Sequence, residues 1–196
     1  MSQFTFLKSA IEIVLTYHFK LNIMKNSIIN KQALLFLFVL VTNLIHAQVK
    51  PTQALKAWDN MAAMVIGTSE AMPANYYAFK PTNELRSFAD QIGHTAGANY
   101  LFASVVKLTA PKPSPMSGKK DKTNVVKDLK ASFKFIRSGM EKLTQQDLNE
   151  EIKFFGSSMS RLQAILIMTS HLQREHGKTT IYTRLKNIAP AKSGGW

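Results

Sequence analysis

Ser170-His171-Leu172-Gln173-Arg174-Glu175-His176-Gly177 lies late in an apolar-periodic run from Arg161 to Asn187. That run predicts the last helix of the chain. His171 and Glu175 are four residues apart, so on a helix they stack on one face. Ala164, Ile167 and Met168 precede them on that face and make it apolar, which turns it inward. An imidazole and a carboxylate on an inward face need polar partners or a metal. His94 sits in an earlier helical stretch, on a face shared with Asp90, Gln91, Gly97, Ala98 and Leu101. Small residues there leave room, which a metal or ligand pocket requires. The reading that follows is convergence of His94, His171 and Glu175 on one divalent metal inside a helical bundle.

The chain has 196 residues, enough for one domain with a real core. It has no cysteine, so disulfides, thiolate metal sites and a cysteine nucleophile are excluded. Any metal must bind through His, Asp or Glu. The formal net charge is +13. Much of it lies between Lys107 and Lys130, around a Pro/Ser/Gly loop without interleaved aromatics. No nucleic-acid motif accompanies the charge, so a solvated loop is expected and no nucleic-acid partner.

Residues 24–47 have the form of a secretory signal peptide. Lys25 and Lys31 give a basic start and Ala33 to Val41 an apolar centre. Ile45-His46-Ala47 ends it on a small residue. An uncleaved membrane anchor is the alternative. Met24 is a candidate initiator, which makes residues 1–47 the leader, with no stable membrane span after cleavage. An exported protein, periplasmic or secreted, follows.

Residues 48–196 then form the domain. Leu55, Trp58, Met61, Ala62 and Val65 predict helix one, capped at Thr52 and stopped by Pro73. Tyr76, Tyr77 and Phe79 follow in an aromatic connection that either covers the bundle end or faces a ligand. Thr82 and Leu85 open helix two, whose stripe is Leu85, Phe88, Ile92 and Phe102, running to about Thr109. Ala110 to Lys120 holds three prolines and breaks the pattern. Val126, Leu129, Phe133, Ile136 and Met140 mark helix three, from Thr123 to Leu143. Asp147 to Gly156 reads equally as extended or helical. Ser158 or Ser160 caps helix four, with Leu162, Ile165, Leu166 and Leu172 inward. Four amphipathic helices without convincing strands predict an all-α four-helix bundle.

Two blocks carry a family resemblance. The first is Ala71-Met72-Pro73, Tyr77 to Thr82, Leu85 to Phe88, Gln91 to His94 and Asn99-Tyr100. The second is Ser160 to Leu162, His171 to Gly177, Tyr182 to Lys186 and Pro190. Over roughly Trp58 to Pro190 the chain resembles the DinB family of bacterial helical-bundle proteins, in its DinB-like branch. The resemblance implies an antiparallel four-helix bundle, often a homodimer. It also implies a divalent metal on three histidines, one from helix two and an H-x-x-x-H pair from helix four. The first helix-four ligand falls on His171 and the second on Glu175, where the family has histidine.

His171 and Glu175 are about 40° apart around a helix, His171 and His176 about 140°. Glu175 therefore reaches an ion shared with His171 more readily than His176 does. His176 is the alternative ligand, through a helix irregularity at Gly177, and a metal-free buried pair of His94 and Glu175 is a third arrangement. Two histidines and a carboxylate suit zinc, nickel, manganese or iron. Asp90, four before His94, could orient its ring, and Tyr182, seven beyond Glu175, could line the pocket. The resemblance implies a metal-dependent hydrolase or a thiol-dependent transferase, and export favours hydrolysis of a small molecule. His176 and Asp90 are the candidate general bases. A non-catalytic binding or dimerisation bundle with a degenerate site is the other reading.

Overall fold

The computed structural model describes residues 12, 13, 15–17, 20, 31, 32, 35, 36, 49–108 and 116–192. The chain divides into a unit of residues 1–48 and a unit of residues 49–196. In the first, the described positions are helical and exposed, and the Thr16 hydroxyl donates to the Glu12 carbonyl at 2.6 Å. Most of the signal-peptide pattern, Met24 and the Ala47 cleavage site among it, lies outside the described residues, as do residues 109–115 of the proline loop and Trp196. Among the described residues no helix is long and apolar enough to cross a membrane.

The second unit is mostly helical. Its elements are α1 (Pro51–Ala71), a 3-10 turn (Ala74–Tyr76), α2 (Phe88–Val105), α3 (Lys122–Met140), α4 (Gln145–Asn149), β1 (Glu151–Phe154), β2 (Ser157–Ser160) and α5 (Arg161–Leu185). Helix α1 packs against α3 and α5, and α2 packs against the same two. The four long helices share one core. Trp58, Phe88, Ile92, Leu129, Ile136, Met168 and Leu172 fill it, each with no exposed surface. Burial of each such side chain contributes about 1.5–3 kcal/mol.

The helix starts are set by local chemistry. Helix α1 is capped at Lys50 rather than Thr52, because Pro51 takes the first helical position and the Gln53 side chain accepts the Lys50 N–H at 2.8 Å. Helix α2 starts at Phe88 rather than near Thr82. The Ser87 hydroxyl accepts the Asp90 N–H at 3.1 Å, and residues 82–85 are held in a turn. Leu85 is consequently outside the helix and exposed, not in the core stripe. Lys107, at φ 57°, ends α2 before Thr109: the Leu108 N–H reaches back to the Ala103 carbonyl at 3.0 Å.

The ambiguous stretch after Asp147 resolves into both forms. Thr144 and Asp147 make a capping box for α4, and a β-hairpin follows, so the expectation of no strands is corrected. Phe155 and Gly156 both have positive φ, 47° and 89°, the backbone that matches hairpin twist in a two-residue turn. Ser160 caps α5 by accepting the Gln163 N–H at 3.2 Å. Arg161 ties this end together through Glu150 at 2.6 Å. Leu166 and Ile167 are exposed, contrary to the inward placement expected, because the α5 core face runs through Ala164, Ile165, Met168 and Leu172.

The aromatic connection packs onto α1 and α2. The Tyr77 ring meets Phe88 edge-on at 5.1 Å and its hydroxyl donates to the Ser69 carbonyl at 2.7 Å. Burial pushes the Tyr77 phenol well above its ordinary value.

A Cβ built on Gly139 would lie 2.8 Å from the Leu108 Cβ. Gly139→Ala therefore sets a helix-propensity gain of at most about 1 kcal/mol against overpacking of about 1–3 kcal/mol. Thermal denaturation should show a lowered midpoint; a raised one would mean that Leu108 does not pack there.

Candidate metal centre

His94 is carried by the middle of α2, His171 and Glu175 by α5. Their potential ligand atoms all lie within 4.8 Å of one another. The imidazole centroids of His94 and His171 are 5.7 Å apart with the rings tilted at 64°. His171 Nε2 stands 3.5 Å from Glu175 Oε1. Ligands about 2.1 Å from a tetrahedral ion are about 3.4 Å from each other. The His171–Glu175 edge already has that length, and the group as a whole needs to contract by about an ångström to meet it.

Glu175 is 1% exposed, the most deeply buried charged side chain of the group. Gln91 Nε2, from α2, donates a short hydrogen bond to Oε2. Lys178 Nζ donates to Oε1 at 2.8 Å, and Arg174 Nε lies 3.5 Å from the same oxygen. Burial alone would raise the Glu175 pKa, but the Lys178 hydrogen bond and charge, with His171 and Gln91, hold it below its ordinary value. Oε1 therefore faces both the imidazole and a cation, and Oε2 is fixed by an amide.

The two imidazoles are differently situated. Among the described residues, no hydrogen bond from the protein engages either ring, and the buried Nδ1 of His171 has no partner. An unpartnered buried polar atom costs about 1–3 kcal/mol. Available imidazole lone pairs beside an ionised carboxylate fit a divalent cation, and this donor set is the candidate metal-binding group. Burial lowers the His94 pKa, assisted by the Arg86 charge and opposed by Glu175. Burial likewise lowers that of His171, against the pull of Glu175. Burial thus favours the neutral form of both rings, the form that can coordinate.

The hairpin supplies an aromatic wall that sequence reading did not foresee. Phe102 packs edge-on to His171 at 5.1 Å and stacks on Phe154 of β1 at 6.0 Å. The remaining expected residues go elsewhere. His176 Nε2 lies 3.1 Å from the Thr68 hydroxyl of α1, outside the donor group. Asp90 does not orient His94: it accepts from Ser87 Oγ at 2.7 Å and pairs with Lys120 at 2.7 Å. Tyr182 donates its hydroxyl to the Arg86 carbonyl at 2.7 Å and meets Phe79 and Phe88 with its ring. It also lines a pocket of about 590 Å³ with Pro81, Leu85, Arg86, Gln91 and Lys178. Gln91 and Lys178 both touch Glu175, so this pocket abuts the donor group. Their spacing, three before His94 and three after Glu175, was the available signal for them.

Residues 54–178, more than half of the chain, match the family model described as the DinB superfamily. The chain belongs to the DinB superfamily. Solved structures carry the same fold. A DinB-like protein from Bacillus cereus ATCC 10987 aligns with a TM-score of 0.63 at 14% identity, over 74% of this chain and 96% of its own. A DinB-like protein from Bacillus subtilis gives 0.57 at 14% identity, over 73% and 96%. A conserved protein from Enterococcus faecalis gives 0.52 at 14% identity, over 70% and 98%. No curated protein matches this DinB superfamily chain.

A histidine with a depressed folded pKa binds fewer protons folded than unfolded, so stability falls as pH drops through the region just below its ordinary value. His94, His171 and His176 are all depressed by burial from 6.5. Metal-free protein should lose thermal stability between about pH 7.5 and about pH 5.5. A midpoint that is flat across this window would contradict the burial of these rings.

Proposed function

We propose that this DinB superfamily chain is an exported, antiparallel four-helix-bundle protein that binds one divalent metal through His94, His171 and Glu175. We further propose that it uses the metal to hydrolyse a small molecule held in the adjoining pocket. The observation that carries the reading is one donor group: two imidazoles without protein hydrogen bonds and a buried carboxylate, with ligand atoms within 4.8 Å. Two neutral nitrogens and one carboxylate oxygen leave coordination positions open and suit zinc, nickel, manganese or iron. Such an ion supplies Lewis acidity and lowers the pKa of a water towards 7.

The chain's own residues have separable parts. Gln91 fixes Oε2 of Glu175 and thereby aims Oε1 at His171. Phe102 and Phe154 keep water from the rear of the His171 ring. Tyr182 anchors the Arg86 backbone at the pocket wall. The pocket is lined by Gln91 and Lys178, the two residues that hold Glu175. Export is supported by the leader pattern of residues 24–47, and a homodimer remains part of the proposal through the family resemblance.

One observation favours a second reading. Lys178 already neutralises Glu175 at 2.8 Å, so the carboxylate is satisfied without a metal. A non-catalytic bundle with a degenerate site follows if Lys178 outcompetes the ion.

Metal analysis of protein purified without chelator separates the two. About one equivalent of metal is expected, with a thermal midpoint that falls on chelation. His94→Ala and His171→Ala should each weaken metal binding by at least about tenfold, whereas His176→Ala should not. Protein that never retains metal, or a His94→Ala variant that binds as well as the parent, would leave the degenerate-site reading standing.

A further inference from the structure

The pocket beside the donor group has a lining that points to its occupant. Its walls are apolar at Pro81, Leu85, Ile181 and the Tyr182 ring. Leu85 is 47% and Ile181 58% exposed, so two large apolar side chains open onto this space rather than into the core. Its polar members are Glu84, Arg86, Gln91 and Lys178. Glu84 is fully exposed and its carboxylate is held by the Thr82 side chain. Gln91 is committed to Glu175, and Lys178 shares the same carboxylate. Among the described residues no carboxylate pairs with the exposed Arg86 guanidinium. The pocket therefore offers an apolar lining beside a guanidinium that makes no ion pair among the described residues.

Without metal, Arg86 and Lys178 balance Glu84 and Glu175; a bound dication would tip the balance. The donor group brings one negative charge, from Glu175, to balance a dication. With Lys178 and Arg86 alongside, the end of the pocket nearest the group is then net positive even after Glu84 is counted. Charge in a partly enclosed cleft is screened less than on open surface, so an anion is needed there. A guanidinium fork matches a carboxylate through two parallel N–H···O bonds. The volume of about 590 Å³ lies within the range of small-molecule sites.

We infer that the pocket lined by Leu85, Arg86, Lys178, Ile181 and Tyr182 binds a small organic acid, with its carboxylate on Arg86 and Lys178 and its apolar body on the pocket wall. The inference rests on the metal reading in one respect: the metal would supply the net positive charge that the acid meets, while the Arg86 guanidinium is present without it. It names the substrate class as amphiphilic carboxylates, with the reacting bond placed toward the donor group.

Octanoate and its neutral counterpart octanamide test this by calorimetric titration of the full-length protein, once zinc-loaded and once chelator-treated. Octanoate should bind at least about tenfold more tightly than octanamide, and zinc should increase that preference. Arg86→Met should abolish the preference for octanoate over octanamide. Arg86 is exposed and its backbone carbonyl holds the Tyr182 contact, so the variant should keep its fold, which near-ultraviolet circular dichroism verifies. Equal binding of the two probes, or a preference that survives Arg86→Met, would overturn the inference. Should the Arg86-dependent preference appear although zinc does not bind, the inference stands and the metal reading alone fails.

Discussion

A single buried carboxylate organises the functional end of this protein. Glu175 lies on α5 with 1% of its surface exposed, and Gln91 of α2 donates to one oxygen while Lys178 donates to the other. An ionised carboxylate cannot remain inside without such partners. The Gln91 bond crosses between two helices, so satisfying the charge also fixes their register. That register sets the 5.7 Å separation of the His94 and His171 rings. Lys178 makes the same carboxylate a point of competition, since the ammonium and a divalent cation seek the same oxygen.

Around this pair the fold separates dry from wet. On one side Phe102 packs against His171, and Phe154 of the hairpin stacks on Phe102. On the other, the segment from Pro81 to Arg86 stays out of α2 and leaves a pocket with Leu85 on its wall. The departure of that segment from helix therefore opens the pocket. Ser87 caps α2 late, and Pro81, Glu84, Leu85 and Arg86 before it become pocket wall rather than core.

The four long helices were legible in the sequence because each carries an apolar stripe at helical spacing, as at Trp58, Met61 and Val65 or at Leu129, Phe133 and Ile136. The pairing of His171 with Glu175 was legible for the same reason: four residues on a helix is one turn. Other features were hidden by tertiary preference. The hairpin turn uses Phe155 at positive φ, where sequence patterns lead one to look for asparagine or aspartate before glycine. Leu85 and Ile167 are apolar yet exposed, and periodicity alone cannot tell a pocket wall or a surface position from a core one. Asp90 sits one turn before His94 but turns to Ser87 and Lys120, because a helix-start serine and a loop lysine were nearer partners. Gln91 and Lys178 escaped a role because amides and lysines at i±3 are commonplace on helices; only the burial of Glu175 makes them matter.

The central claim is that two imidazoles and this carboxylate share one ion. X-ray absorption at the zinc edge of the zinc-loaded protein measures it most directly. The account predicts two imidazole nitrogens at about 2.0–2.1 Å and a carboxylate oxygen at about 2.0–2.2 Å, with the oxygen contribution changed in Glu175→Gln. Three imidazoles in the shell, or a shell that is unaltered by Glu175→Gln, would contradict it.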